Sequence, residues 1–153
     1  MKTLYIMRHG SAEEESSSNK DIDRQLTAQG IEQIKKTANK LIITKQLPSC
    51  IICSNARRTI ETAETLVKAL SIQVDIKSEP KLYNAFPDEI LKVIKDNEQD
   101  SMMIIGHNFG ISHIVTMLGD INNVFLDTAY CAIIHFKKEI DYNSGLLHQI
   151  LHP

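Results

Sequence analysis

Three short apolar runs in the sequence each end in a cluster of polar residues with the chemistry to act on a substrate. Leu4-Tyr5-Ile6-Met7 leads to Arg8-His9-Gly10, Cys50-Ile51-Ile52-Cys53 to Ser54-Asn55-Ala56-Arg57-Arg58, and Ser101-Met102-Met103-Ile104-Ile105 to Gly106-His107-Asn108. A histidine so placed can attack an electrophile, an arginine can hold an anion, and a glycine lets the backbone come close. Two histidines and two or three arginines gathered in one place repel one another unless an anion lies among them. Phosphate is the natural candidate, because arginine binds its oxygens in pairs and a helix N-terminus offers backbone N–H groups.

The clusters meet only if the apolar runs are parallel neighbours in one sheet, since ligands bind open α/β sheets beyond the carboxyl ends of the strands. Residues 11–26 form a long polar connection, and Thr27 is placed to cap a helix whose period runs through Ile31, Ile34, Ala38, Leu41 and Ile42. Ser54-Asn55 is expected to cap a second helix, Ala56 to Leu70, and Ile72 to Ile76 alternates like a peripheral strand. A helix beginning near Pro87 follows, then one from Gly110 to Leu118. A terminal hairpin near Ala129–His135 and Leu146–Leu151 turns at Asn143-Ser144-Gly145. The pattern predicts one domain over residues 1–153, a three-layer α/β/α sandwich with a mostly parallel central sheet.

Composition narrows the function. A hydrophobic fraction of 42 % and a charged fraction of 24 % over 153 residues suit a globular domain. The net charge of −2 argues against a sequence-independent hold on nucleic acid, and no apolar stretch approaches the ~20 residues of a membrane span. Cys50, Cys53 and Cys131 make an odd count, expected of a cytoplasmic protein in a reducing compartment. Cys50-Ile51-Ile52-Cys53 reads as strand, whose ends point to opposite faces, which suits neither a zinc knuckle nor a redox turn, so buried structural thiols are expected.

The motifs resemble the histidine phosphatase superfamily, the phosphoglycerate mutase-like fold, and within it the small SixA-type phosphohistidine phosphatases. The resemblance rests on Leu-Tyr-Ile-Met-Arg8-His9-Gly10, Ser54-Asn-Ala-Arg-Arg58-Thr-Ile-Glu-Thr62-Ala63 and Ile-Ile-Gly106-His107-Asn108. It is extended by Asp21-Ile-Asp-Arg24-Gln-Leu26-Thr27-Ala-Gln-Gly30 and Pro80-Lys-Leu82-Tyr83-Asn-Ala85, and spans Lys2 to about Leu118. It implies that His9 attacks phosphorus and carries the phosphoryl group, that Arg8 and Arg58 clamp its oxygens, and that His107 donates a hydrogen bond to them. Arg24 is implied as a further phosphate ligand on the long loop, with the Gly10 backbone also close to the phosphate. The resemblance further implies a site that needs no metal or cofactor, the arginines supplying the positive charge. Ser54 reads equally as a phosphate contact or a helix cap. Arg57, His113 and Glu13-Glu14-Glu15 are expected to be solvated or packing residues, and His135, His148 and His152 carry no ligand spacing.

One departure bears on substrate. Many relatives that cleave phosphate esters carry an acid after the third strand to protonate the leaving alkoxide. The corresponding Leu82-Tyr83-Asn84-Ala85 has none, and Glu79, Asp88 and Glu89 are out of register. Losing a general acid costs about 10²–10⁴-fold, whereas the P–N bond of a phosphoramidate is labile without one. The primary expectation is therefore a phosphatase acting on protein phosphohistidine, with a histidine phosphotransfer domain as one candidate partner. The alternatives are a phosphomonoesterase acting on a small phosphorylated substrate and a non-catalytic phosphate-binding module.

Overall fold

A computed structural model describes residues Met1–Pro153. Its frame is one six-stranded sheet in the order β3-β2-β4-β1-β5-β6, from β1 (Lys2–Arg8), β2 (Cys50–Cys53), β3 (Asp75–Ser78), β4 (Ser101–Gly106), β5 (Cys131–Phe136) and β6 (Gly145–Leu151). The pairs β3–β2, β2–β4 and β4–β1 are parallel, and β1–β5 and β5–β6 are antiparallel. Four helices cover it: α1 (Ala28–Thr44), α2 (Arg57–Leu70), α3 (Pro87–Asp96) and α4 (Gly110–Gly119). The sheet is the mostly parallel, helix-covered α/β arrangement expected.

The strands read as continuous apolar runs because both faces are buried. Leu4, Ile6, Met102, Ile104 and Ile134 pack with α3 and α4 on one face. Tyr5, Met7, Met103, Ile105 and Ile133 pack with α1 and α2 on the other. The thiols follow the same alternation, with Cys50 against the first cluster and Cys53 in the second. All three cysteines are free, and burial pushes Cys53 up to about 11 and Cys131 to about 12, far from thiolate chemistry at neutral pH.

Four local expectations change. Ile31 and Ile42 are exposed, and α1 faces the core through Ile34, Ala38 and Leu41. The third strand is Asp75–Ser78 at the sheet edge, while Ile72 and Val74 pack against the core ahead of it. The apolar alternation there marks a chain skirting the core rather than pairing. Helix α2 starts at Arg57 with Ala56 as its cap residue, and no side chain caps it. Strand β5 begins at Cys131, because Ala129 has φ 61° and belongs to the preceding turn.

Thr27 does cap α1, accepting from Gly30 N–H at 3.1 Å. The start of α1 lies tightly against the segment after β1: a Cβ on Gly30 would sit 2.1 Å from the Ser11 carbonyl oxygen, and one on Gly10 would sit 2.9 Å from the Gly30 oxygen. Neither backbone can yield cheaply. Gly30→Ala is expected to cost about 1–3 kcal/mol and several degrees of Tm. Gly119→Ala, whose nearest heavy atom would be 3.4 Å away, should be close to neutral. Equal thermal denaturation of the two variants would refute this account of the contact.

Candidate active site

The parallel register pairs Arg8 with Gly106, so the tips of β1 and β4 lie side by side. His9 N–H donates to the Gly106 carbonyl at 3.3 Å, and Ala129 N–H donates to the His9 carbonyl at 3.0 Å. Held on both sides, the buried His9 ring places Nδ1 2.7 Å from the Gly10 carbonyl oxygen. A carbonyl only accepts, so Nδ1 carries the proton and Nε2 keeps its lone pair. Burial brings His9 down to about 4, aided by the charges of Arg58, Arg8 and Arg24 and opposed by the Gly10 carbonyl.

His107, at the tip of β4, lies 5.3 Å from His9 between ring centroids, tilted by 57°. Its Nε2 is 2.6 Å from Ser54 Oγ, and Arg58 Nη2 is 3.2 Å from its Nδ1. A guanidinium can only donate, so Nδ1 accepts and Nε2–H donates to the serine. Burial again leads in lowering His107 to about 3, followed by Arg58 and His9. For Nδ1 to donate to a phosphoryl oxygen while the ring stays neutral, its proton must move from Nε2 to Nδ1. Ser54 sits behind this ring, held by Thr59 Oγ1 at 2.8 Å and by Ala56 N–H at 3.2 Å. Its hydroxyl meets the second histidine, and the cap position of α2 falls two residues later, on Ala56.

Arg58 is 3 % exposed and donates Nη1 to the Asp21 carbonyl at 2.9 Å and Nη2 to Asp21 Oδ2 at 3.1 Å. Arg8 reaches the Leu126 carbonyl at 3.4 Å and Asp127 Oδ1 at 3.5 Å. Burial lowers the Arg8 pKa, with Asp127 opposing and Arg58 assisting. The Nε–H groups of Arg8 and Arg58 are both buried without a protein partner, an expensive state for a charged donor unless an acceptor reaches it. Arg24 donates Nε to Asp21 Oδ1 at 2.9 Å and Nη1 to the Glu13 carbonyl at 2.6 Å, and its charge reaches both histidines. Gly10, expected near phosphate, gives its N–H to Thr62 Oγ1 at 3.1 Å and serves the packing against α1. Arg57 is exposed and pairs with Glu61 one helical turn on, at 3.7 Å.

Sequence reasoning missed Asp21 and Tyr83 as parts of the site. Tyr83 sets its ring edge-on to His107 at 5.5 Å, and its phenol donates to Asp21. That hydrogen bond leads in bringing Asp21 down to about 2, with Arg58 and Arg24 adding to it. The available signal was the Asp-x-x-Arg spacing: Asp21–Asp23 is a 3₁₀ turn, in which residues three apart eclipse. The three carboxylates considered as acids are engaged elsewhere. Glu79 accepts from Lys81 N–H at 3.1 Å, Asp88 from the Tyr142 phenol and Glu89 from Phe86 N–H at 2.8 Å. No group of three or more His, Cys, Asp or Glu side chains is placed to hold a metal ion, and no helix is long and apolar enough to cross a membrane. Three guanidiniums (Arg8, Arg24, Arg58) facing two carboxylates (Asp21, Asp127) leave one positive charge over beside two neutral rings, a cradle suited to an oxyanion.

The family model for the histidine phosphatase superfamily (branch 1) matches residues 4–85, and the chain belongs to that superfamily. Its fold is shared by a crystal structure described as phosphohistidine phosphatase SixA from Agrobacterium tumefaciens (24 % identity, TM-score 0.83, 99 % of this chain and 98 % of that one). It is shared also by the protein histidine phosphatase SixA complexed with tungstate (21 %, 0.80, 99 % and 97 %). A phosphoserine phosphatase mutant from Entamoeba histolytica, in complex with phosphoserine, is more distant (15 %, 0.63, 99 % and 97 %). No curated protein sequence matches the chain. Membership makes the chain a phosphatase-type hydrolase with a phosphoglycerate mutase-like fold.

Both rings have folded values, about 4 and about 3, below the ordinary 6.5. The unfolded chain therefore binds protons first. The stability these rings contribute is complete above pH 6.5 and is lost as pH falls toward 4, by up to about 1.4 kcal/mol per pH unit for each ring. In ¹⁵N NMR, His9 and His107 should both remain neutral at pH 5.5. A ring titrating near 6.5 would contradict the burial and charge argument.

Proposed function

We propose that the chain hydrolyses phosphohistidine on proteins in two displacements through a phosphorylated His9. One observation carries this reading: His9 is buried, neutral and free at Nε2 among the guanidiniums, while Asp21, the carboxylate on Arg58 and Arg24, is held ionised. In the first step the Nε2 lone pair attacks phosphorus and the substrate's P–N bond breaks. When the other nitrogen of the leaving ring is protonated, that ring departs as neutral imidazole and needs no proton at the breaking bond. Water then attacks phosphorus, the P–N bond to His9 breaks with its electron pair returning to Nε2, and the water's second proton leaves with phosphate or solvent. Arg8 and Arg58 hold the phosphoryl oxygens through the Nε–H groups that lack a protein partner, and Arg24 adds charge from the loop. His107 stabilises the oxygens once Nδ1 carries a proton, with Ser54 orienting its ring. Guanidinium charge takes the place of a metal ion in this scheme.

The SixA neighbours support it, one of them binding tungstate, a tetrahedral oxyanion like phosphate. The free cysteines fit a cytoplasmic setting, with residues 1–153 acting as one catalytic domain in phosphohistidine signalling. Phosphomonoester hydrolysis is the second reading, favoured by the phosphoserine-bound neighbour from Entamoeba histolytica. A purely phosphate-binding module has no use for a buried neutral nucleophile.

Wild-type protein should turn over phosphoramidate and aryl phosphate far faster than alkyl phosphate, by about 10²–10⁴-fold over the alkyl ester. Comparable alkyl rates would favour the second reading. His9→Ala should lose at least about three orders of magnitude on phosphoramidate, together with an acid-labile label trapped on the wild type. Full activity in that variant ends the proposal.

A further inference from the structure

Arg58 stands in the first turn of α2, so the helix fixes where its side chain starts but not which edge of the guanidinium meets a phosphoryl group. That group is a rigid planar fork, and only some of its edges present two parallel N–H donors. Nη1 donates to the Asp21 carbonyl at 2.9 Å, and Nη2 donates both to Asp21 Oδ2 at 3.1 Å and to His107 Nδ1 at 3.2 Å. Asp21 thus grips the end of the fork with its main chain and its side chain together. The remaining side edge, made of Nε–H and the second Nη2–H, is turned toward His107, and its Nε–H is buried without a protein partner. Two parallel donors on one edge suit a pair of phosphoryl oxygens.

Asp21 is itself held at both oxygens. The Tyr83 phenol donates to Oδ2, the oxygen that also meets Arg58, and Arg24 Nε donates to Oδ1 at 2.9 Å. Asp21 lies in the 3₁₀ turn Asp21–Asp23, and Tyr83 closes another, Pro80–Leu82. Two separate turns of the chain therefore converge on one carboxylate. It cannot rotate without breaking a charge-assisted hydrogen bond. It also lies between the like charges of Arg24 and Arg58 and offsets their repulsion. Arg8 has no equivalent grip: its Nη1 reaches the Leu126 carbonyl at 3.4 Å and the exposed Asp127 at 3.5 Å. The two clamping arginines are held unequally.

We propose that Asp21, steadied by Tyr83, is a positioning residue for the reaction: by holding Nη1 and Nη2 of Arg58 it turns the Nε edge of that guanidinium to the phosphoryl oxygens. Both residues act through Arg58. This deepens the two-displacement reading of the site and rests on it.

Turnover of potassium phosphoramidate tests the assignment through two double-variant cycles. Asp21→Asn, which replaces one acceptor oxygen by a donor and removes the charge, should lower kcat by about 100-fold. Tyr83→Phe should lower it by about 10-fold, yet add less than about 3-fold to Asp21→Asn, because its hydroxyl works through that carboxylate. Arg58→Lys keeps the charge but has no fork to orient, so Asp21→Asn should add less than about 3-fold to it as well. A residue that served folding alone would multiply its loss in both backgrounds. Asp23→Asn, a carboxylate of the same turn that bonds Ser18 Oγ at 2.6 Å, should leave the rate unchanged. Asp21→Asn turning over within about 3-fold of the wild type, or losses that multiply in the Arg58→Lys background, overturns the positioning role and leaves the catalytic reading standing. Should Asp21→Asn fail to fold, Tyr83→Phe alone and with Arg58→Lys decides in its place, and a wild-type rate for Tyr83→Phe overturns the role. Wild-type inactivity on phosphoramidate overturns the catalytic reading itself.

Discussion

Two imidazoles 5.3 Å apart must stay uncharged while three guanidiniums stand around them, and this constraint governs the site. Displacements from 6.5 to about 4 and about 3 correspond to roughly 3–5 kcal/mol against protonating each ring. Burial is the largest cause for both rings, and the charge of the arginines adds to it. The outcome is a lone pair on His9 Nε2 that persists well below neutral pH. It faces a field whose positive charge is only partly offset by Asp21 and Asp127. A histidine exposed to solvent could be neutral at pH 7 as well. It would lack both the fixed direction given by the Gly10 carbonyl and an anion cradle.

The fold delivers this arrangement through a sheet covered on both faces. Alternate residues of β1 and β4 enter different cores, so a strand interior has no face on which a charged side chain could lie. Polar residues are displaced to the strand tips, and parallel neighbours bring the tips together. The register does the rest: Arg8 opposite Gly106 leaves the next residue on each strand a histidine. Glycines at positions 10 and 30 then let α1 close on the segment after His9. Arg24, on the connection leading into α1, is thereby brought near enough for its charge to act on both rings.

What could be read in the sequence followed from local rules. Continuous apolar runs with abrupt polar ends exposed β1, β2 and β4, and the tips carried the histidines and arginines now found together. Features whose meaning comes only from distant partners were invisible. Asp21 meets Arg58 across 37 residues and Tyr83 across 62, from a loop without hydrophobic periodicity. Ser54 before a helix has the local look of a cap, but its hydroxyl is engaged by a histidine 53 residues on. Ile72 and Val74 alternate like a strand because they skirt the core, a burial pattern that hydrogen bonding did not follow.

The same field acts against a carboxyl proton donor placed among these arginines. A carboxyl group able to protonate an alkoxide at neutral pH must have its pKa raised, which calls for burial away from cations. Asp21 shows what happens otherwise: with Tyr83, Arg58 and Arg24 around it, the carboxyl falls to about 2 and stays ionised. Any acid brought among these arginines would be drawn the same way. A cradle that concentrates guanidinium charge on a phosphoryl group therefore works against a general acid within its own reach. Ester-cleaving relatives would have to hold their acid outside this field. A chain without such an acid must rely on a leaving group that departs unaided, and in the proposed reaction the imidazole of phosphohistidine is that group.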